Sequence, residues 1–131
     1  TVLASWSKGD KDGAVGQLLS IRWDEPAVFA GVPLLNLSED EFTALSLSRD
    51  ERTRNQKEYM ELVGTFKSLS RHSFSLGENA ETSGDKQMAK AHYEAVLHLG
   101  KALSSPKRVL IMQGTGKALV RMAEEKLSAL K

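Results

Sequence analysis

The segment 109–118, which reads VLIMQGTGKA, is the part of the sequence closest to a phosphate-binding motif. A P-loop wraps phosphates with backbone amides, so it needs a glycine five positions before its last glycine and a hydroxyl residue after its lysine. Here those two positions hold Ile111 and Ala118. Because the motif is incomplete, we interpret Gly114 and Gly116 as glycines that let helices pack closely.

The three histidines are the other side chains whose chemistry stands out. His92 and His98 are six residues apart, which separates them by about 120° around a helix, and His72 belongs to the preceding segment. Glu94 and His98 share a face, but helical di-iron sites place Glu and His three residues apart and use several helices. We therefore expect solvated or helix-capping histidines, no metal ion and no cofactor.

Covalent catalysis has little support in the sequence. Cysteine is absent and no serine lies in a Gly-x-Ser-x-Gly elbow. The acidic residues 39–41, like Asp50 and Glu51, are expected to stabilise helix N-termini rather than to act as paired catalytic carboxylates. A nearby basic cluster is interleaved with acids and is interpreted as solvated surface; it consists of Arg49, Arg52, Arg54 and Lys57. The sequence predicts a protein that is not an enzyme.

Composition narrows the class of protein further. With 131 residues, we expect 1–131 to form one domain that buries a core without disulfides. A net charge of +1 gives no reason to expect nucleic acid, and no apolar run approaches the roughly 18 residues of a membrane span. The lack of cysteine does not indicate a compartment. Thr1 is no natural start, so we expect a fragment or mature part of a longer chain.

Helical periodicity dominates the sequence and predicts an all-α fold. A first helix is expected over residues 10–22, ending before Pro26. The following segment, 23–37, mixes apolar residues with glycine and proline and is expected to lie irregularly against the core. Its expected anchors are Phe29, Leu34 and Leu35.

Two helix starts carry the capping-box pattern, a serine followed three residues later by glutamate. Ser38 predicts a short helix over 38–45, and Ser48 predicts a long helix over about 48–82. The long helix has the strongest apolar seam in the chain, and such a seam normally packs against another helix at a shallow angle. The seam consists of Tyr59, Leu62, Phe66, Leu69, Ser73, Leu76 and Ala80.

The long helix is expected to form a tight antiparallel hairpin with the next one. Residues 82–84 interrupt the pattern, and a further helix is predicted over 85–104. Its stripe consists of Ala89, Tyr93, Val96, Gly100 and Leu103. Pro106 predicts the opening of a last helix. The expected inward face of that helix consists of Met112, Thr115, Leu119, Met122 and Leu127.

A pattern of Gly-Asp, Ala, a large apolar residue and a β-branched residue occurs twice, at 9–21 and at 84–96. The second copy, extended by Leu76, Gly77, Ala80 and Leu97, resembles the tetratricopeptide repeat. The resemblance covers about 73–100, with a half motif at 9–21, and lacks the family's tryptophan and closing proline. It implies stacked antiparallel hairpins that act as a scaffold or adaptor and bind peptides or helices in a groove.

In the family resembled, the first helix of each hairpin lines the groove. The candidate partner-binding surface here consists of Lys67, Arg71, Phe74 and Glu78. Phe74 lies beside the seam, and we expect it to be buried rather than to contact a partner. The expected function is a non-enzymatic interaction module for a protein or peptide.

Two alternatives to this function stay open from the sequence. A structural or self-associating bundle would pack its long seam against another copy. A small-ligand binder or enzyme would need polar groups that converge in a pocket, such as His92 or His98 beside a buried carboxylate.

Overall fold

In a computed structural model, the described residues are 2–21, 23, 29 and 31–130. They form six α-helices and one short 3-10 helix and contain no strand, which confirms the all-α fold. The helices are α1 (Val2–Ser7), α2 (Lys11–Leu19), α3 (Glu39–Ala44), α4 (Arg49–Thr82), α5 (Lys86–Leu103) and α6 (Leu110–Ala129), and the 3-10 helix spans Pro33–Asn36.

The two Gly-Asp pairs form the same turn. Gly9 and Gly84 have φ angles of +83° and +84°, a left-handed conformation that glycine adopts without steric cost. The amides of Asp10 and Asp85 donate to the carbonyls five residues back at 3.0 and 2.8 Å, which closes the preceding helix in a Schellman motif. Each aspartate side chain then accepts from the amide three residues later and caps the next helix. The repeated pattern therefore joins α1 to α2 and α4 to α5 by one local geometry.

The α4–α5 hairpin is closed by a glycine under an aromatic ring. A Cβ atom built on Gly77 would lie 2.5 Å from Cε1 of Tyr93, so the ring occupies the space of the missing side chain. Tyr93 and Ala89 are fully buried. The hydroxyl of Tyr93 donates to Oε2 of Glu81 at 2.6 Å, and burial, then this bond, raise its pKa. The predicted tight hairpin between these two helices is confirmed.

The backbones of α5 and α6 touch at two glycines. A Cβ atom on Gly116 would lie 2.5 Å from the carbonyl oxygen of Gly100 and 2.5 Å from the amide nitrogen of Ser104. Gly114 has no such neighbour within 4 Å. The interpretation of this segment as a helix-packing element is confirmed for Gly116 and is wrong for Gly114.

Helix α5 lies antiparallel between α4 and α6, and α2 packs against both α4 and α5. The ring of Trp6 meets His72 of α4 edge-on at 6.2 Å. The most deeply buried large side chains come from α2, the 31–38 region and all three long helices; they are Leu18, Leu35, Phe66, Leu69, Tyr93, Leu99, Leu103 and Met112. The packing therefore joins both hairpins into one core.

The segment before α4 is anchored as expected. Phe29 and Leu35 are buried, and Leu34 is partly buried. The Tyr59 hydroxyl donates to the Leu34 carbonyl at 2.8 Å, and burial raises the pKa of Tyr59 to about 12. The full capping box at Ser38 is confirmed.

Several helix ends differ from the prediction. Helix α1 was not predicted, and α2 ends at Leu19, whereas Arg22 and Pro26, expected to mark its end, lie outside the described residues. At Ser48 only the serine half of the capping box is present, with its hydroxyl accepting from the amide three residues later. The Gly-Asp turn explains the first difference, because its Schellman closure requires a helical turn before Gly9.

The predicted opening of the last helix at Pro106 is wrong, because α6 begins at Leu110. The guanidinium of Arg108 donates to the Leu35 carbonyl at 2.7 Å and to the Ala102 carbonyl at 3.3 Å, which fixes a turn before the helix. It also stacks on Phe29 at 5.0 Å, and burial lowers its pKa.

The inward face of α6 also differs from the prediction. Met122 is 42% exposed, and Ala123 is fully buried in its place. The close approach at Gly116 explains this, since a small residue fits where α6 lies nearest to α5.

Candidate interaction surface

The three histidines lie in three different environments. His72 Nε2 is 2.7 Å from Oδ1 of Asp12, a half-exposed contact between α4 and α2. His98 is exposed and stacks on Trp23 at 6.4 Å. Glu94, expected to share a face with His98, lies 3.7 Å from Lys90 instead. The structure therefore does not bring these side chains together into a site.

His92 is buried between α4 and α5. The Ser73 hydroxyl donates to its backbone carbonyl at 3.0 Å and lies 3.5 Å from its Nδ1. Burial, with a smaller contribution from His72, lowers the pKa of His92, so the neutral imidazole is favoured in the folded state. This position suits a packing role.

Among the described residues, no group of three His, Asp or Glu side chains is arranged to hold a metal ion. A recess of about 340 Å³ lies between the α1–α2 pair and the α4–α5 pair. Gln17 is the one polar side chain on its described lining, with no histidine or carboxylate beside it. The described part of this lining is therefore mainly apolar.

The candidate surface on α4 divides into an exposed part and a covered part. Lys67 and Arg71 are exposed, and the described residues offer them no ion pair or hydrogen bond. Phe74 is only 5% exposed, as expected. Its ring centre lies 6.1 Å from that of Tyr93 on α5, and Lys126 of α6 places its Nζ 5.9 Å above the ring. The same ammonium group pairs with Glu78.

Helix α6 lies parallel to α4 and alongside it. Its first turn adjoins α3, since the Leu110 amide donates to Oε1 of Glu39 at 3.0 Å. Ile111 and Met60 line one recess of about 340 Å³ at this end. The Lys126 contacts with α4 lie at the other end. Between these two ends, Gly64, Lys67 and Arg71 of α4 and Ala118 and Met122 of α6 are exposed.

We call this surface the α4–α6 face. It consists of Met60, Gly64, Lys67 and Arg71 on α4 and of Ile111, Ala118 and Met122 on α6. Met60, Ile111 and Met122 are 56%, 42% and 42% exposed, and a Cβ atom on Gly64 would meet nothing within 4 Å. Apolar side chains on α6 therefore border basic side chains on α4.

Acidic and basic residues alternate along the sequence of α4, but they lie on different sides of the helix axis. At 3.6 residues per turn, the basic residues Arg49, Lys57, Lys67 and Arg71 all lie within about 60° of Met60 around the axis. The acids interleaved with them, Asp50, Glu51 and Glu58, lie outside that sector. The only carboxylates inside it are Glu78 and Glu81, and they bond to Lys126 and Tyr93. Of the basic cluster predicted to be solvated surface, Arg49 and Lys57 thus extend one basic face, whereas Arg52 and Arg54 lie outside the sector.

Sequence reasoning missed two apolar members of this surface and assigned a third to the core. Met60 and Ile111 each stand next to a residue of a predicted stripe, Tyr59 and Met112, and Met122 stands next to buried Ala123. The neighbour of a core residue points about 100° away from it on a helix. The signal available in the sequence was a large apolar residue directly next to a core residue, and it occurs at Met60, Ile111 and Met122.

No known protein family, curated protein or solved structure matches the chain. None of the described helices combines the length and the hydropathy needed to cross a membrane.

Proposed function

We propose that this chain is a non-enzymatic protein-interaction module, built from tetratricopeptide-like hairpins, that binds a peptide or helix on the α4–α6 face. The main support is the parallel placement of α4 and α6, with unpaired Lys67 and Arg71 exposed between their two points of contact. In the repeat family resembled, the first helix of each hairpin lines the groove, and α4 is the first helix of the α4–α5 hairpin. The repeated Gly-Asp turn adds support, since it builds both hairpins by one geometry.

Phe74 is buried, so it is not proposed to contact the partner directly. Because α6 covers it, a Phe74→Ala variant would remove core packing and would not report on binding. Lys67 and Arg71 are the residues to test, since charge reversal on an exposed helix surface changes stability little.

The test is quantitative affinity purification with the intact domain and a Lys67→Glu, Arg71→Glu variant. A Lys117→Glu, Arg121→Glu variant is the matched control, because both side chains are exposed on the outer side of α6 and the charge change is the same. We expect the first variant to lose specific partners and the control to retain them. Equal recovery of every partner by all three proteins would overturn the proposal for this face.

Self-association is a second candidate function, and the exposed apolar side chains favour it. The long seam is already occupied within the chain, since Tyr59, Phe66 and Leu69 are buried. A second copy would therefore use exposed apolar side chains, of which Leu110 is 63% exposed and its neighbour Ile111 is 42% exposed. Sedimentation over a hundredfold range of concentration separates the two functions: a rise in mass that Leu110→Glu abolishes supports self-association, and a constant monomer mass excludes it.

A further inference from the structure

We infer that the partner bound by the α4–α6 face is an acidic amphipathic helix of about three turns. This inference rests on the proposed function and adds the chemistry of the partner. The apolar strip of α6 runs from Ile111 to Met122, eleven residues or about 16 Å at 1.5 Å per residue. A partner helix that lays apolar side chains along this length presents them at positions i, i+4, i+7 and i+11.

The sign of the partner's charge follows from the basic side of the face. Lys67 and Arg71 lie beside the apolar strip, and Arg49 and Lys57 continue the row towards the start of α4. No carboxylate of the described residues pairs with Lys67 or Arg71. A partner with glutamate or aspartate on the flank of its apolar stripe neutralises this row, whereas a basic partner is repelled by it.

The shape of the face fits a helix that lies across small residues. Gly64 stands between Met60 and the basic pair, with open space where a side chain would be. Ala118 stands between Ile111 and Met122 on α6. Methionine side chains adapt to different apolar surfaces, so Met60 and Met122 are suited to contact a partner from either side of this low point.

The probe is a designed 16-residue helical peptide with leucine at i, i+4, i+7 and i+11 and glutamate at the flanking positions. A second peptide has the same leucines and lysine in place of every glutamate. The four methionines of the protein supply the readout through labelled ε-methyl signals. Met60 and Met122 lie on the face, Met88 is exposed on α5, and Met112 is buried.

We expect the acidic peptide to shift the Met60 and Met122 signals in a saturable manner and to leave Met88 and Met112 in place. The basic peptide should bind at least about tenfold more weakly, and added salt should weaken the acidic complex because salt screens exposed charges. Lys67→Glu combined with Arg71→Glu should reduce affinity by about tenfold or more.

Two glycine variants give a control that does not depend on charge removal. Gly64→Glu places bulk and a negative charge on the face, and Gly16→Glu places the same side chain on an exposed position of α2, away from the face. Neither new Cβ atom meets a neighbour within 4 Å, so both variants should fold. We expect Gly64→Glu to weaken the acidic complex by about tenfold and Gly16→Glu to change it by less than about twofold.

Several results would overturn the inference. Equal binding of both peptides, or shifts at Met88 instead of Met60 and Met122, would contradict it. The same would be true if vesicles with 30% phosphatidylserine, rather than the acidic peptide, moved the Met60 and Met122 signals, or if the free protein were a dimer that covers them. If neither designed peptide binds but peptides selected from a random displayed library bind this face, the acidic partner is excluded and the interaction module stands. If no peptide selected from the library binds this face, the acidic partner and the interaction module are both excluded.

Discussion

The contact between α5 and α6 gives the sharpest test of the packing, because a single methyl group should disrupt it. A Cβ atom on Gly116 would lie 2.5 Å from two backbone atoms and 2.9 Å from a third. Reaching ordinary contact at 3.4 Å from 2.5 Å requires a shift of about 0.9 Å. Backbone atoms cannot turn aside as a side chain can, so Gly116→Ala must push the two helices apart.

Two opposing effects set the change in the free energy of unfolding of Gly116→Ala. Overpacking a well-packed core typically costs about 1–3 kcal/mol, and a rigid backbone contact belongs at the upper end of that range. Replacing a helical glycine by alanine returns about 1 kcal/mol. We therefore expect Gly116→Ala to lower the free energy of unfolding by about 2 kcal/mol.

Gly114→Ala is the matched control, two residues away on the same helix. It has open space for the methyl group, so only the helix-propensity term applies and the free energy of unfolding should rise by up to about 1 kcal/mol. Urea unfolding followed by circular dichroism measures both values. The two variants should differ by about 3 kcal/mol, and a Gly116→Ala protein as stable as the wild type would refute the close helix contact.

Three further predictions concern the turn, a buried histidine and a buried arginine. Gly84→Ala should lower stability by about 1–2 kcal/mol, because alanine is strained at a φ of +84°; an unchanged urea midpoint would contradict the assigned turn. Because burial lowers the pKa of His92 below its ordinary 6.5, the unfolded chain binds more protons as pH falls through about 6.5, and stability should fall with it. His92→Gln should reduce that pH dependence, and an identical pH profile would argue against a buried neutral imidazole. Arg108→Met should lower the free energy of unfolding by about 1–3 kcal/mol, because it leaves buried carbonyls such as that of Leu35 without their donor. An unchanged melting temperature would show that this contact does not stabilise the fold.

Much of the fold could be predicted from local signals. The seam of α4 is long and regular, so its extent was predicted within one residue at the start and at the same last residue. The turn at Gly84 was marked by its own residue types, since glycine closes one helix and aspartate caps the next. These features depend on contacts within a few residues of the chain.

The features that were missed depend on distant partners. The start of α6 is set by Arg108, whose guanidinium reaches the Leu35 carbonyl 73 residues away. The choice of Ala123 over Met122 for the core depends on how closely α5 approaches α6. The α4–α6 face has the same origin, since the spacing of Met60 and Ile111 in the sequence does not indicate that the two helices lie side by side.

The most direct test of the account is whether α6 lies alongside α4 in solution. In the free protein we predict nuclear Overhauser contacts between the Phe74 ring and the side-chain methylenes of Lys126, whose Nζ lies 5.9 Å from the ring centre. A Phe74 ring that is accessible to solvent and shows no contact with α6 would contradict the shared face on which both proposals depend.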